Sequence, residues 1–104
     1  MHKFCFYVPS SHLEIVKNAL FEKGAGKIGN YDCCCWQTLG MGQYRPLENS
    51  HAFKGEIDKI AHEPEYLVEM ICEDNLVDTL IDTLLKIHPY ETPAFQVWPV
   101  RGKR

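Results

Sequence analysis

The sequence predicts an α+β sandwich in which a four-stranded antiparallel sheet carries two helices on one face. Three observations predict it. Four short apolar stretches alternate with period two, two longer ones carry a helical stripe, and each helical stretch stands between two of the strands. The 104 residues, 45% hydrophobic and 24% charged, have the composition of a folded chain with one modest core. Residues 1–104 are therefore read as a single domain.

Residues 3–8 set Phe4, Phe6 and Val8 on one side and Lys3, Cys5 and Tyr7 on the other, and Pro9 closes this first strand. Ser11 and Glu14 have the spacing of a capping box ahead of a helix. Leu13, Val16 and Leu20, flanked by Ile15 and Ala19, form its apolar stripe. Lys23 suits the negative end of that helix, and Gly24 can take the left-handed stop. A glycine-rich turn over 24–29 then leads into a second strand, expected at 31–38.

Residues 40–65 are too many for a structureless connection. They predict a long arm with extra short strands, in which Gly40-Met-Gly42 makes a hairpin turn or bulge and Pro46 and Gly55 break the chain. A third strand follows at 66–72, with Tyr66, Val68, Met70 and Cys72 on one face. The second helix opens at Asn75, with Asp78 complementing its positive end. Leu76, Leu80 and Leu84 interleave with Val77, Ile81 and Leu85, and Asp82 is spaced to pair with Lys86. Pro89 stops the helix at His88. The last strand, 94–98, lies between Pro93 and Pro99 and suits a sheet edge. This order is the split βαβ, ferredoxin-like arrangement, βαββαβ. Its strands are apolar on both faces, and the face left open by the helices predicts association with further copies.

Three cysteines stand side by side at 33–35. In a strand, Cys33 and Cys35 would share a face with Tyr31 while Cys34 turned away. Two thiols at that spacing supply at most half of a tetrahedral zinc site, so the run reads as small buried hydrophobes. A metal shared between subunits is the alternative. Five cysteines without regular spacing predict free thiols in a reducing compartment.

The net charge of −3 and the scattered basic residues argue against nucleic acid or an anionic membrane as partner. The basic tail 101–104 reads as a solvated terminus. No apolar run reaches the length of a membrane span, and 4–8 is too short for a signal-peptide core. A cytoplasmic chain is expected.

Catalytic signatures are missing. The run 24–29 (GAGKIG) resembles a dinucleotide fingerprint, yet it follows a helix instead of joining a strand to one. His88 and Glu91, three residues apart at a helix exit, are the candidates for chemistry. Imidazole and carboxylate together suit a divalent metal or proton exchange. The alternative is structural, with His88 capping the last helix carbonyls and Tyr90 filling the core.

Five motifs appear in order: Val8-Pro9, the run 24–32 (GAGKIGNYD), the run 40–46 (GMGQYRP), Phe53-Lys-Gly55 and the run 88–94 (HPYETPA). Together they closely resemble the small domain inserted in the Nif-three-like dinuclear-metal hexameric proteins, also found as a stand-alone chain of the YqfO type. Asp58 stands where that family usually has a glycine. The large flanking domains that carry the dinuclear metal ligands have no counterpart in these 104 residues, so the resemblance implies neither that metal site nor hydrolase activity. The domain is similar in fold to the PII signalling proteins and to CutA, which are trimers. That likeness implies self-association, as a homotrimer first and a dimer next.

The function expected is a non-enzymatic oligomeric module of PII-like kind, binding a small ligand or a protein partner. The alternative is a divalent-metal-binding protein resembling CutA, using His88, Glu91 and one of Cys33 or Cys35 across a subunit boundary. A small anionic ligand would sit at the exit of the second helix, contacted by His88, Glu91, Tyr31 and Arg45 and roofed by the arm.

Overall fold

The alternating stretches at the two ends of the chain pair with each other in one sheet. In the computed structural model, which describes residues 1–102, β1 (His2–Pro9) lies between β3 (Ala61–Cys72) and β4 (Phe95–Pro99). The fourth strand, β2 (Trp36–Tyr44), pairs with the far side of β3, so the order is β2-β3-β1-β4 and every pairing is antiparallel. With α1 (Leu13–Glu22) after β1 and α2 (Val77–Ile87) after β3, this is the ferredoxin-like arrangement. Lys103 and Arg104, half of the basic tail, lie outside the described residues.

Register explains the core. Phe4, Phe6 and Val8 stand opposite Met70, Val68 and Tyr66, so all six share one sheet face. Val16 and Leu20 of α1 and Leu80 and Leu84 of α2 close over that face in a single buried cluster. Burying each such side chain contributes about 1.5–3 kcal/mol. Among the described residues, no helix is long and apolar enough to cross a membrane.

The helix starts differ from expectation. Ser10–His12 and Asp74–Leu76 are single 3₁₀ turns, and their carbonyls already take the next amide. No side chain caps either helix among the described residues. Ser11 Oγ instead meets His12 Nδ1 at 2.8 Å, Glu14 pairs with Lys17 at 3.1 Å, and Asp82 and Lys86 form no ion pair among the described residues. Asp74 holds the chain's own ammonium at 2.9 Å. The end of α2 is as expected, with His88 extended ahead of Pro89.

The larger correction concerns β2, which runs over 36–44 instead of 31–38. The residues before it form a compact loop. Gly26 N–H donates to Ile71 O at 2.8 Å, Cys34 N–H donates to Gly26 O at 2.9 Å, and Ile28 and Tyr31 close a tight turn. Gly26 has φ +76°, and a Cβ there would lie 2.6 Å from Cys34 O, so the loop needs glycine. Cys33 itself has φ +53° and is exposed, Cys34 is half-buried, and only Cys35 packs against the core. Cys33 is therefore not a buried hydrophobe in a strand. The amides of this run bond within the loop and to the end of β3, a pattern that apolar alternation cannot reveal.

The arm is also built differently. β2 and β3 stay paired out to Tyr44 and Ala61, so the two strands lengthen and Gly40 and Gly42 lie inside β2. Pro64 is tolerated in β3 because β1 ends its pairing at Glu65, leaving that part of the strand with one neighbour. Residues 45–60 connect the strands through turns, in which Asp58 N–H donates to Pro46 O at 2.7 Å. Asp58 has φ +64°, a left-handed conformation that glycine takes freely and Asp tolerates. On the sheet face away from the helices, Tyr7, Leu67, Trp36 and Trp98 are interspersed with Lys3 and Glu69, which pair at 2.9 Å.

Candidate functional site

Pro89 ends α2 so that His88 turns inward, and His88 is 6% exposed. Its Nδ1 lies 3.1 Å from Tyr90 N, and its Nε2 lies 2.7 Å from Tyr7 O. An amide N–H can only donate, so Nδ1 accepts and Nε2 carries the proton given to Tyr7 O. The ring is neutral. Burial holds its pKa below the ordinary value, with the Tyr7 carbonyl and Glu65 opposing that shift and His12 adding to it. His88 thus ties the helix exit to β1, and a metal could reach Nδ1 only by displacing the Tyr90 amide.

Tyr90, two residues on, is aimed by that bond. Its ring lies 5.0 Å from the His88 ring, and its hydroxyl donates to Glu65 Oε2 at 2.6 Å. Burial and Glu65 push its pKa far above the ordinary tyrosine value, so Tyr90 keeps its proton. The Glu65 carboxylate lies over Gly42, where a Cβ would collide with it. A side chain at position 42 would displace that carboxylate and strain its bond to Tyr90.

The arm folds back onto Tyr90. Tyr44 and Phe53 each place a ring 6.1 Å from it, and His12 meets Phe53 edge-on at 5.4 Å. Tyr44 donates its hydroxyl to Lys54 O at 2.8 Å, Lys54 pairs with Glu63 at 3.1 Å, and Glu91 Oε2 accepts from His51 N–H at 2.7 Å. These bonds leave a cleft of ≈ 410 Å³ between the arm, β1 and the 90–94 segment. Tyr7, Tyr44, Phe53 and Tyr90 line it, together with three charged residues, Arg45, Glu65 and Glu91. Arg45 enters none of the ion pairs among the described residues. Ser50 also lines the cleft, and its Oγ is buried without a hydrogen-bond partner among the described residues.

Of the four residues expected to meet here, Arg45 and Glu91 line the cleft and His88 lies beneath it through Tyr90. Tyr31 does not join them. It is 75% exposed in the turn beside the Ile71 end of β3. Ile71 is six residues beyond Glu65, about 20 Å at the rise of a strand. Its misplacement follows directly from the shifted start of β2. Glu65 and Phe53 were not foreseen. Glu65 had one signal, a carboxylate beside the apolar run at 66–72. Among the described residues, no group of three or more His, Cys, Asp or Glu is placed to hold a metal ion.

No family model matches the chain. The chain is 32% identical over 103 residues to the GTP cyclohydrolase 1 type 2 homolog of Halalkalibacterium halodurans, covering 99% of this chain and 28% of that protein. It is 33% identical over 100 residues to the Bacillus subtilis protein of the same name, covering 96% and 27%. The chain thus spans about a quarter of the length of the relatives it matches. Among solved structures, a Bacillus cereus protein related to NIF3 superposes with a TM-score of 0.82 at 32% identity, over 97% of this chain and 26% of that one. The periplasmic divalent cation tolerance protein CutA from Archaeoglobus fulgidus superposes with a TM-score of 0.71 at 21% identity, over 100% and 89%. A PII-like protein CutA from Nostoc does so at 0.67 and 19% identity, over 96% and 81%. The last two likenesses are of fold.

Proposed function

We propose that this chain, a relative of one segment of the NIF3-related GTP cyclohydrolase 1 type 2 homologs and folded like CutA, is a binding module and not a catalyst. One observation carries the reading. The cleft has preformed aromatic walls and a volume in the range of small-molecule sites, with an unpaired guanidinium on its lining. The titratable groups around it are occupied with structure. His88 has both ring nitrogens in main-chain bonds, Tyr90 holds its proton against Glu65, and Glu91 anchors the arm. Arg45 is left to meet a carboxylate or phosphate, which its planar fork suits. His88 acts here through Tyr90, and Tyr31 has no part.

The module self-associates through the open sheet face, as a trimer first and a dimer next, because Tyr7, Leu67, Trp36 and Trp98 offer apolar area there. The CutA name points to divalent cations. In this chain His88 and Glu91 would supply two ligands at most, so a metal site would need residues from a second subunit. The cyclohydrolase name belongs to proteins of which this chain covers about a quarter.

A thermal-shift screen of carboxylates, nucleotides and divalent ions tests the reading on wild type, Arg45→Gln and Phe53→Ala. A compound carrying a carboxylate or phosphate should raise the wild-type melting temperature and lose its effect in both variants. A compound that stabilises all three proteins equally would put the site elsewhere.

A further inference from the structure

The cleft offers charges of both signs, and none has a counter-ion among the described residues. Arg45 is the cation on its lining, and Glu65 and Glu91 are the carboxylates. None of the three enters an ion pair among the described residues, Arg45 with Glu91 included. Each carboxylate has used one oxygen, Glu65 on the Tyr90 hydroxyl and Glu91 on His51 N–H, and keeps further acceptor capacity. A simple anion drawn in by Arg45 would meet two unpaired carboxylates, and a simple cation would meet Arg45. Like charges brought together in a partly desolvated site oppose binding. A ligand carrying both charges avoids each penalty.

We infer that the cleft takes a small zwitterion with an apolar body, of the free α-amino acid class: its carboxylate on Arg45, its ammonium on Glu91, its side chain against Tyr44, Phe53 and Tyr90. This inference rests on the reading of the cleft as a binding site and names the class of its ligand. The aromatic lining of Tyr44, Phe53 and Tyr90 favours an aromatic or branched side chain. The unpartnered Ser50 hydroxyl, on the same lining, is a ready donor to the ligand's carboxylate. The cleft's ≈ 410 Å³ holds a molecule of that size.

The test compares L-phenylalanine, 3-phenylpropionate, which lacks the amine, and phenethylamine, which lacks the carboxylate. Saturation-transfer NMR and calorimetry would be applied to wild type, Arg45→Gln, Glu91→Gln and Phe53→Ala. Gln at position 91 keeps an acceptor for His51 N–H, so the arm stays tied. L-phenylalanine should bind wild type about tenfold or more tightly than either partial analogue, the value of one charge-assisted contact. Arg45→Gln should erase its advantage over phenethylamine, and Glu91→Gln its advantage over 3-phenylpropionate. If 3-phenylpropionate or phenethylamine binds as tightly as the amino acid and is lost in Phe53→Ala, the zwitterion is wrong while the cleft stands. If no compound binds, or if binding ignores all three variants, both readings fall.

Discussion

Tyr90 donates its hydroxyl hydrogen to Glu65 Oε2 at 2.6 Å across 25 residues of chain, locking the segment after α2 onto the middle of β3. The bond is charge-assisted and half-buried, and the floor of the cleft depends on it. Tyr90→Phe removes the donor and leaves the carboxylate without it. The variant should lose about 1–3 kcal/mol of stability, the cost of an unmade hydrogen bond to a charged group. Chemical denaturation that found Tyr90→Phe as stable as wild type would show the bond to be incidental.

Two glycines of one strand should behave in opposite ways. A Cβ at Gly42 would occupy the place of the Glu65 carboxylate, whereas a Cβ at Gly40 meets nothing within 4 Å. Gly42→Ala should cost more than about 1 kcal/mol and Gly40→Ala less than about 0.5 kcal/mol. Equal costs in the same denaturation experiment would remove the packing explanation for position 42.

Asp58 tests the arm. At φ +64° it already sits where glycine is at ease, so Asp58→Gly should be tolerated. Asp58→Val should lose about 1–2 kcal/mol, the cost of a left-handed residue with a bulky Cβ. Melting temperatures that ranked the two variants the other way would contradict the turn.

His88 makes stability depend on pH. Its folded pKa is depressed below the ordinary 6.5, so the unfolded chain binds the proton more readily. The contribution is fully present above about 6.5, the ordinary histidine value, and is lost as pH falls through 6.5 toward the folded value. His88→Gln should flatten the stability profile in that interval. The charged neighbours that set the size of the effect are Glu65 and His12. A profile as steep in the variant as in wild type would assign the dependence to another group.

The cysteines should separate by location. Cys33, exposed in the loop, should be alkylated first, while Cys5 and Cys72 are buried and burial pushes their thiols up. Cys33→Ser should change stability by less than about 0.5 kcal/mol, and Cys35→Ala should cost about 1 kcal/mol because Cys35 packs against the core. Timed alkylation read by mass spectrometry checks the order.

Residues that alternate or repeat at helical spacing told their own story: Phe4, Phe6 and Val8, then Leu80 and Leu84, predicted the elements and the core that form. What alternation could not tell is which amides find a partner strand. The apolar run at 31–38 has the right period, yet the Cys34 amide donates to Gly26 O and the Gly26 amide occupies Ile71 O, so the strand begins at Trp36. Gly40 and Gly42 look like a turn in isolation, and only the carboxylate of Glu65 from the facing strand explains position 42. The candidate site was half legible for the same reason. Pro89 acts locally, so the end of α2 and the turn at His88 were legible, and Arg45 and Glu91 lie on the cleft's lining. Tyr31 was misplaced with its strand, and Glu65 and Phe53 depend on contacts between segments far apart in sequence.

The central claim is that the cleft under the arm binds a small ligand. Amide NMR of the ¹⁵N-labelled chain, titrated with the tightest-binding compound of the screens, tests it most directly. The account predicts that the amides of His51, Phe53, Tyr90 and Glu91 shift together and saturate with one affinity, while those of Tyr31 and Cys33 stay still. Shifts centred on the loop before β2, or spread evenly over the sheet, would contradict it.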